Sequence, residues 1–175
     1  MTSLLLPVDL HQHRTLLIDL HTEYLGWVFA EIAKEFNLPE GSVAGMTVSE
    51  YIAAHLDTMY GESPASAGYY LLMLGDVVAG MAGWRTIRPG VAEIKRLFVR
   101  PVCRGQQLGQ VALERVMAEA HAKGCHSVCL DTAPFMLAAH RLYETNGFRD
   151  CAAYPETEVP PAFLTRWRFM QRELE

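Results

Sequence analysis

Residues 92–109 combine a strand, a glycine-bearing turn and the start of a helix, and this unit constrains the fold more than any other part of the chain. Residues 92–99 are rich in β-branched and large apolar side chains, and they stop before Pro101, which cannot donate to a strand ladder. Gly105 and Gly109 follow, and apolar side chains then recur near helical spacing. The sequence therefore predicts a strand that leads, through a tight turn, into an amphipathic helix.

The predicted helix start has the features of an anion-binding site. The first turn of a helix leaves backbone N–H groups unpaired, and the helix dipole adds partial positive charge there. Gly105 has no Cβ to obstruct a close approach, and Arg104 places a fixed cation beside it. Arg96 and Arg100 are near in sequence, so the local charge is positive. We expect a phosphate group to bind here.

Residues 104–109, Arg-Gly-Gln-Gln-Leu-Gly, resemble the pyrophosphate-binding Arg/Gln-x-x-Gly-x-Gly/Ala loop of the GNAT N-acetyltransferase family, whose members use acetyl-coenzyme A. One position departs from that pattern, because Gln107 stands where the family has its central glycine. Three further segments match in order and spacing: the strand at 92–94, Leu-Asp-Thr at 130–132, and residues 139–148, which are similar to an Ala-x-x-x-Tyr-x-x-x-Gly-Phe signature. The resemblance implies an acetyl-coenzyme A-dependent N-acetyltransferase that needs no metal.

The order of the predicted elements suits an α/β (α+β) fold with a mixed, mostly antiparallel central sheet and flanking helices, and the resemblance implies the same fold. At 175 residues, the chain is long enough to form one domain, residues 1–175, without disulfides. The predicted strands are residues 4–8, 69–74, 77–84, 92–99, 126–131, 148–154 and 163–170. The predicted helices are residues 9–36 (one helix, or two joined near Gly26), 47–59 after a capping box, 108–120, and a last one that Thr132-Ala-Pro134 opens and Asn146-Gly147 closes.

Composition and charge restrict the classes of binding partner and the cellular compartment that we expect for the protein. A net charge of −5 argues against general nucleic-acid affinity. The first residues lack the charged region and cleavage site of a signal peptide, and no apolar run is long enough to span a membrane. We therefore expect a cytoplasmic protein with no membrane partner. The four cysteines should then be reduced, and the Cys125-x-x-x-Cys129 spacing is not that of a zinc site.

The resemblance also implies which residues hold the cofactor. In the family, main-chain groups of one strand run beside the pantetheine arm and loop amides hold the pyrophosphate. The corresponding residues here are Leu97, Phe98 and Val99 for the arm, and Arg104, Gly105, Gln106, Gln107, Leu108, Gly109 and Gln110 for the pyrophosphate. Ala139 leaves room for a ligand beside its helix, and Thr132 either lines the cofactor channel or caps the next helix.

Two residues are candidates for proton transfer. Tyr143 lies one helical turn after Ala139, and a phenol is protonated at neutral pH, so Tyr143 can protonate the departing thiolate. Glu93 resembles the strand glutamate that acts as the base in some family members, but it could equally form an ion pair with Lys95. The period of two along a strand places Glu93 on the same sheet face as Lys95, Leu97 and Val99.

The identity of the acceptor stays open at this level. The resemblance implies an acceptor pocket built from residues 24–59 and 154–163, and the acceptor can be a small-molecule amine, an amino acid or the N-terminus of a peptide. Glu156 and Glu158 suggest a cationic acceptor, or are only solvated loop residues. The alternative to an enzyme is a non-catalytic protein that binds acyl-coenzyme A. An acyl-enzyme route through Cys103 would need an activating base, and the sequence shows none. The family resemblance also allows a homodimer.

Overall fold

The computed structural model describes residues 3–39 and 45–175, and within them the chain forms one mixed sheet. Its strands are β1 (Ser3–Pro7), β2 (Ala67–Leu74), β3 (Val77–Arg88), β4 (Val91–Val99), β5 (Ser127–Thr132), β6 (Arg149–Asp150) and β7 (Arg168–Glu173), in the spatial order β1-β2-β3-β4-β5-β7-β6. Neighbouring strands are antiparallel except β4 and β5, which are parallel. The mixed, mostly antiparallel sheet confirms the predicted fold class.

Four α-helices flank this sheet in the described residues: α1 (Leu10–Glu35), α2 (Val48–Tyr60), α3 (Leu108–Ala122) and α4 (Leu137–Thr145). Gly26 does not interrupt α1, so the segment predicted as one or two helices is a single helix. Thr47 and Glu50 form the predicted capping box at the start of α2. The side chain of Asp9 accepts hydrogen bonds from the amides of His11 and Gln12 and so caps α1.

The helices cover the two faces of the sheet with different side chains. On one face, α3 packs Leu113 and Val116 against Ala92 and Ile94 of β4, and we call this the α3 face. On the opposite face, α1 and α2 pack Leu17, Leu20, Ile52 and Leu56 against Leu71, Met81 and Phe98, and we call this the α1/α2 face. Both faces of the central strands are therefore buried.

A β-bulge at Arg96 changes which side chains of β4 lie on which face. Gly83 pairs with Lys95 and Met81 pairs with Phe98, so two residues of β4 oppose one residue of β3. Arg96 takes the left-handed conformation, with φ of 56°. Leu97 and Val99 consequently pack on the α3 face. The prediction that they share a face with Glu93 and Lys95 is wrong, because the period of two does not survive the extra residue.

Three predicted element boundaries are also wrong. Pro134 lies in a turn closed by the Met136 amide and the Ala133 carbonyl, a position that suits its fixed φ, and α4 begins only at Leu137. Thr132 therefore does not cap α4. Strand β6 is only two residues long, and β7 begins at Arg168 rather than at residue 163.

The segment between β6 and β7 is a loop for a physical reason. Pro160 and Pro161 start a 3-10 turn that ends at Phe163, whose ring stacks on that of Trp167 four residues later. That spacing belongs to a helical turn and not to a strand. The loop carries Tyr154 and Glu158 back over the α1/α2 side of the sheet.

The cysteines of the described chain are all free. Cys103, Cys125 and Cys129 are buried as small hydrophobic residues, and Cys151 is half-buried. None of the helices in residues 3–39 and 45–175 has both the length and the apolar composition to cross a membrane.

Candidate active site

The sheet opens where β4 and β5 separate. These parallel strands pair only at three positions, from Val91 to Glu93 of β4, although β4 continues to Val99. A cavity of about 780 Å³ lies beyond the last pair. It is lined by Tyr24, Trp27, Leu97, Phe98, Val99, Arg104, Gly105, Gln107, Leu108, Gly109, Gln110, Phe135, Met136, Leu137, Ala138, Ala139 and Leu142. It can hold an extended ligand of considerable size.

The turn before α3 presents unpaired backbone donors to this cavity. The amides of residues 105–110 make no main-chain hydrogen bond within the described chain, and the first such bond comes from Val111 to the Gln107 carbonyl. Gly105 has φ of 81°. The Arg104 side chain donates to the Val99 carbonyl at 3.1 Å and is otherwise exposed at the cavity wall. The turn can therefore bind a phosphate through main-chain N–H groups and one guanidinium.

Gln107 occupies the position where a glycine was expected. It has φ of 59° and ψ of 15°, the left-handed conformation that glycine adopts without strain. The backbone thus keeps the shape that a glycine would give it, at a cost of about 1 kcal/mol or more for a residue with a Cβ. The side chain does not close the site, since Gln107 lines the open cavity.

Most of the predicted cofactor-binding residues meet at this cavity. Those that line it are Leu97, Phe98, Val99, Arg104, Gly105, Gln107, Leu108, Gly109, Gln110 and Ala139. Gln106 and Thr132 do not line it: the Gln106 side chain donates to the Cys103 carbonyl, and the Thr132 hydroxyl donates to the sulfur of Met136. The Gln110 side chain exchanges hydrogen bonds with that of Asn146 and so ties α3 to the end of α4.

Tyr143 lies next to the cavity, one turn beyond Ala139 on α4. It is buried against Phe148, with the ring centroids 5.6 Å apart. Its hydroxyl makes no hydrogen bond to any described residue. Burial raises the pKa of Tyr143 above its ordinary value of 10.0, and the nearby Tyr24 and Asp131 act in the same direction. The phenol is therefore protonated at neutral pH and free to donate.

Glu93 lies outside the cavity in a buried network of charges. Its carboxylate is fully buried, 2.8 Å from Nε of Arg85 and 3.5 Å from Nζ of Lys95. The Tyr154 hydroxyl donates to its second oxygen at 2.7 Å. The structure thus contains the ion pair with Lys95 that the sequence left as an alternative. A proton acceptor in this place would have to give up one of these partners, and the role of Glu93 as base stays a prediction.

The loop acids Glu156 and Glu158 are held by cations of the sheet. Glu156 accepts from Arg88 at 2.8 Å, and Glu158 contacts both Lys95 and Arg85. Because each of them already has a protein cation as partner, they give no support to a cationic acceptor.

Asp131 is a second carboxylate at this site, and the sequence did not single it out as catalytic. It lies near the end of β5, accepts from the Trp167 indole at 2.9 Å, and lies 3.5 Å from the Tyr154 hydroxyl. Burial raises its pKa above the ordinary 3.8. Its position at the carboxyl end of a parallel strand was visible in the sequence as a place where ligands bind. The contact with Trp167 was not visible in the sequence, because 36 residues separate Asp131 from Trp167.

Two aromatic side chains of α1, Tyr24 and Trp27, also line the cavity, and they lie within the residues 24–59 that the resemblance assigned to the acceptor pocket without singling them out. The Tyr24 ring packs 5.2 Å from Phe98, and Trp27 meets Phe135 edge to face at 5.6 Å. Burial raises the pKa of Tyr24 to about 12. In the periodic pattern of α1 these residues could not be distinguished from ordinary core positions.

The described ranges contain no group of three or more histidine, cysteine or acidic side chains able to hold a metal ion.

Comparison with known proteins gives one family. A sequence model described as the "Acetyltransferase (GNAT) family" matches residues 29–148. An uncharacterized N-acetyltransferase of Schizosaccharomyces pombe is 38% identical over 78 residues, which are 45% of this chain and 48% of that protein. The IAA acetyltransferase of Azospirillum brasilense is 41% identical over 85 residues, which are 49% of this chain and 53% of that protein. The chain thus spans about half the length of these curated relatives.

The fold agrees with that match over nearly the whole chain. The crystal structure of the PaiA N-acetyltransferase from Thermoplasma acidophilum, in complex with coenzyme A, aligns with 99% of this chain and 100% of its own, with a TM-score of 0.69 and 15% sequence identity. At that identity the likeness is one of fold.

Proposed function

Since the chain belongs to the acetyltransferase (GNAT) family, we propose that it moves an acetyl group from acetyl-coenzyme A to the nitrogen of an amine acceptor. The observation that carries the proposal is the turn before α3, where the six amides of residues 105–110 have no main-chain partners and every residue except Gln106 lines the 780 Å³ cavity. These donors, with Arg104, suit the pyrophosphate of coenzyme A. The edge of β4 from Leu97 to Val99 then runs beside the pantetheine arm.

Acetyl-coenzyme A supplies the acetyl group as a thioester, which a neutral amine can attack directly. The protein has to orient the two reactants, take a proton from the amine and give one to the thiolate. We assign the donation to Tyr143, whose hydroxyl is protonated and has no other partner among the described residues. Main-chain N–H groups near Leu97 and Phe98 polarise the thioester carbonyl.

Two carboxylates can receive the proton of the amine, directly or through water. Glu93 has three polar partners, whereas Asp131 has one short hydrogen bond and lies close enough to Tyr24 and Tyr143 for its charge to raise their pKa values. We therefore add Asp131 to Glu93 as a candidate base. If Asp131 is the base, the acidic limb of the rate profile is displaced upward from the ordinary aspartate value of 3.8, because burial raises the pKa of Asp131. Asp131→Asn would remove that limb and Glu93→Gln would leave it in place.

The activity is tested by following thiol release from acetyl-coenzyme A with a panel of amines, amino acids and short peptides, and by detecting the N-acetyl product by mass spectrometry. The proposal predicts acceptor-dependent release at equal amounts of thiol and acetylated amine. Binding of acetyl-coenzyme A without release for any acceptor would support the non-catalytic alternative. Release that persists in Tyr143→Phe, within a factor of about two, would remove the assigned proton donor.

A further inference from the structure

The bulge of β4 carries a cation, Arg96, that forms no ion pair within 4 Å in the described chain, although its charge acts on the pKa of Glu158. Arg85 and Lys95, on the same side of the sheet, each contact Glu93 and Glu158 within 4 Å. Arg96 makes no salt bridge to any described residue, and its hydrogen-bonding neighbour is the hydroxyl of Tyr69. Its Nη1 atom is nevertheless buried without a partner. A buried donor without a partner costs about 1–3 kcal/mol, so this is an unusual place for a guanidinium.

The surroundings hold Arg96 in place without neutralising it. The guanidinium lies over the rings of Tyr60 and Tyr69, 5.6 and 5.5 Å from their centroids. Tyr69 fits there because Gly83 lies beneath it: a Cβ at Gly83 would come within 2.2 Å of the Tyr69 ring. The Tyr69 hydroxyl is bound to Glu62 at 2.5 Å. Two fixed aromatic rings thus position the cation and leave its Nη1 atom without a partner in the described chain.

The backbone of Arg96 is strained in addition. It is the extra residue of the bulge, with φ of 56°, a conformation that costs a residue with a Cβ about 1 kcal/mol or more. An unpaired buried donor and a left-handed backbone therefore fall on one residue. No ion pair within the described chain offsets these costs. Strain concentrated in this way is typical of a residue that is kept for a ligand.

Arg96 also lies close to the proposed reaction site. Two residues along β4, Phe98 lines the cavity, and residues so spaced on a strand are separated by roughly 7 Å. Tyr24, which lines the cavity and packs on Phe98, is close to both Arg96 and Asp131, because their charges act on its pKa in opposite directions. A positive and a negative side chain thus both act on one cavity-lining tyrosine, an arrangement that suits a small molecule carrying both an amine and an acid.

We propose that Arg96 binds the carboxylate of the acceptor, so that the acceptor is an amine of the amino-acid type. This inference rests on the proposed acetyl transfer and specifies its substrate class. A guanidinium pairs with a carboxylate through two parallel N–H···O bonds, and one of them would satisfy the Nη1 donor that the described chain leaves without a partner. The aromatic rings beneath the guanidinium fix its plane and therefore the orientation of the acceptor.

The test compares each of the common amino acids with its carboxamide, which keeps the amine and the side chain but lacks the negative charge. With saturating acetyl-coenzyme A, the wild type should acetylate at least one free amino acid with kcat/KM about 10- to 100-fold above that of its carboxamide. Arg96→Gln should lower kcat/KM for the acid by the same factor, mainly through KM, and abolish the discrimination. Arg96→Lys should retain part of it, because a lysine keeps the charge without the paired donors.

Arg115→Gln is the matched control. Arg115 also lies over a tyrosine ring, 5.9 Å from the centroid of Tyr70, but on the exposed side of α3 with Glu119 as its partner. It should behave as the wild type. Acetyl-coenzyme A should raise the Tm of Arg96→Gln and of the wild type by the same amount. That result would show that the variant is folded and that its cofactor site is intact.

Three results would overturn the inference while leaving the proposed function in place: acetylation of carboxamides or simple amines as efficiently as of the acids, retention of the discrimination in Arg96→Gln, or acetylation of amines with no amino acid among them. If acetyl-coenzyme A neither binds nor releases thiol with any acceptor, the proposed function itself fails, and the inference falls with it.

Discussion

The two sides of the candidate active site are built on different principles. The cofactor side uses main-chain N–H groups of one continuous turn, residues 105–110, in front of α3. The proposed acceptor side uses buried and half-buried charged side chains that come from β3, β4, β5 and the loop before β7, including Glu93, Arg96 and Asp131. The first depends on local backbone shape, and the second on long-range pairing. They should therefore respond differently to substitution and to pH.

The largest expected effect on stability is on the acceptor side, where removing one buried carboxylate leaves two cations without that counter-ion. Glu93→Ala leaves Arg85 and Lys95 without their shared buried carboxylate, and we expect it to lower the free energy of unfolding by about 3–5 kcal/mol. Urea unfolding measures the change.

Glu156→Ala serves as its control, since Glu156 pairs with Arg88 at the same 2.8 Å but on the surface. That pair should contribute less than about 1 kcal/mol. Equal losses in the two variants would show that the buried network is no more important than a surface pair.

A second expected effect is pH dependence that arises from His21. This histidine is buried on α1 with Nε2 2.8 Å from the Tyr60 hydroxyl. Burial, with the charge of Arg96, lowers its pKa from 6.5 to about 3. Its contribution to stability is present above pH 6.5 and is lost as the pH falls towards 3, because the unfolded chain binds the proton first.

Between pH 7 and pH 4 the wild type should lose about 3 kcal/mol more stability than His21→Asn, measured by urea unfolding at each pH. His121→Asn replaces an exposed histidine of α3 and should keep the wild-type slope. A His21→Asn profile parallel to that of the wild type would mean that His21 is protonated in the folded protein.

Tyr143 lies between the two sides, so its substitution separates chemistry from binding. Tyr143→Phe removes the proton donor and leaves the turn before α3 intact. We expect kcat to fall about 100-fold while the affinity for acetyl-coenzyme A stays unchanged. Stopped-flow thiol release gives kcat, and calorimetry gives the affinity. A parallel loss of affinity would indicate that Tyr143 supports the cofactor cavity instead.

The sequence predicted the residues and the local structure of the cofactor side, but it did not predict the geometry of the acceptor side. The strand, turn and helix around Gly105 lie within one short stretch, and local propensity and glycine placement predict them directly. The family resemblance was confirmed, and so was the predicted mixed, mostly antiparallel sheet. Gln107 adopts the left-handed backbone of the glycine it replaces, which no propensity would have indicated.

The acceptor side was missed because its geometry depends on one inserted residue and on distant contacts. The bulge at Arg96 reverses the sides of the sheet on which Leu97 and Val99 pack. A prediction that side chains alternate strictly between the two faces of a strand does not allow for such an inserted residue. Asp131 acquires its environment from Trp167 and Tyr154, which reach it only after β7 and the preceding loop have formed. Neither contact has a local sequence signal.

The most direct test of the central claim compares two glycines at the ends of α3. Gly105 and Gly124 have φ of 81° and 89°, and a Cβ at either would meet no atom within 4 Å. Valine at either position should therefore cost similar stability. Only Gly105 borders the cavity.

The measurement is thermal unfolding of the wild type, Gly105→Val and Gly124→Val with and without acetyl-coenzyme A. At about a hundred times its dissociation constant, the ligand should raise the Tm of the wild type and of Gly124→Val by roughly 5 to 10 °C. The account predicts that Gly105→Val loses most of this shift. An equal shift in all three proteins, or none in the wild type, would contradict the assignment of the turn before α3 as the cofactor site.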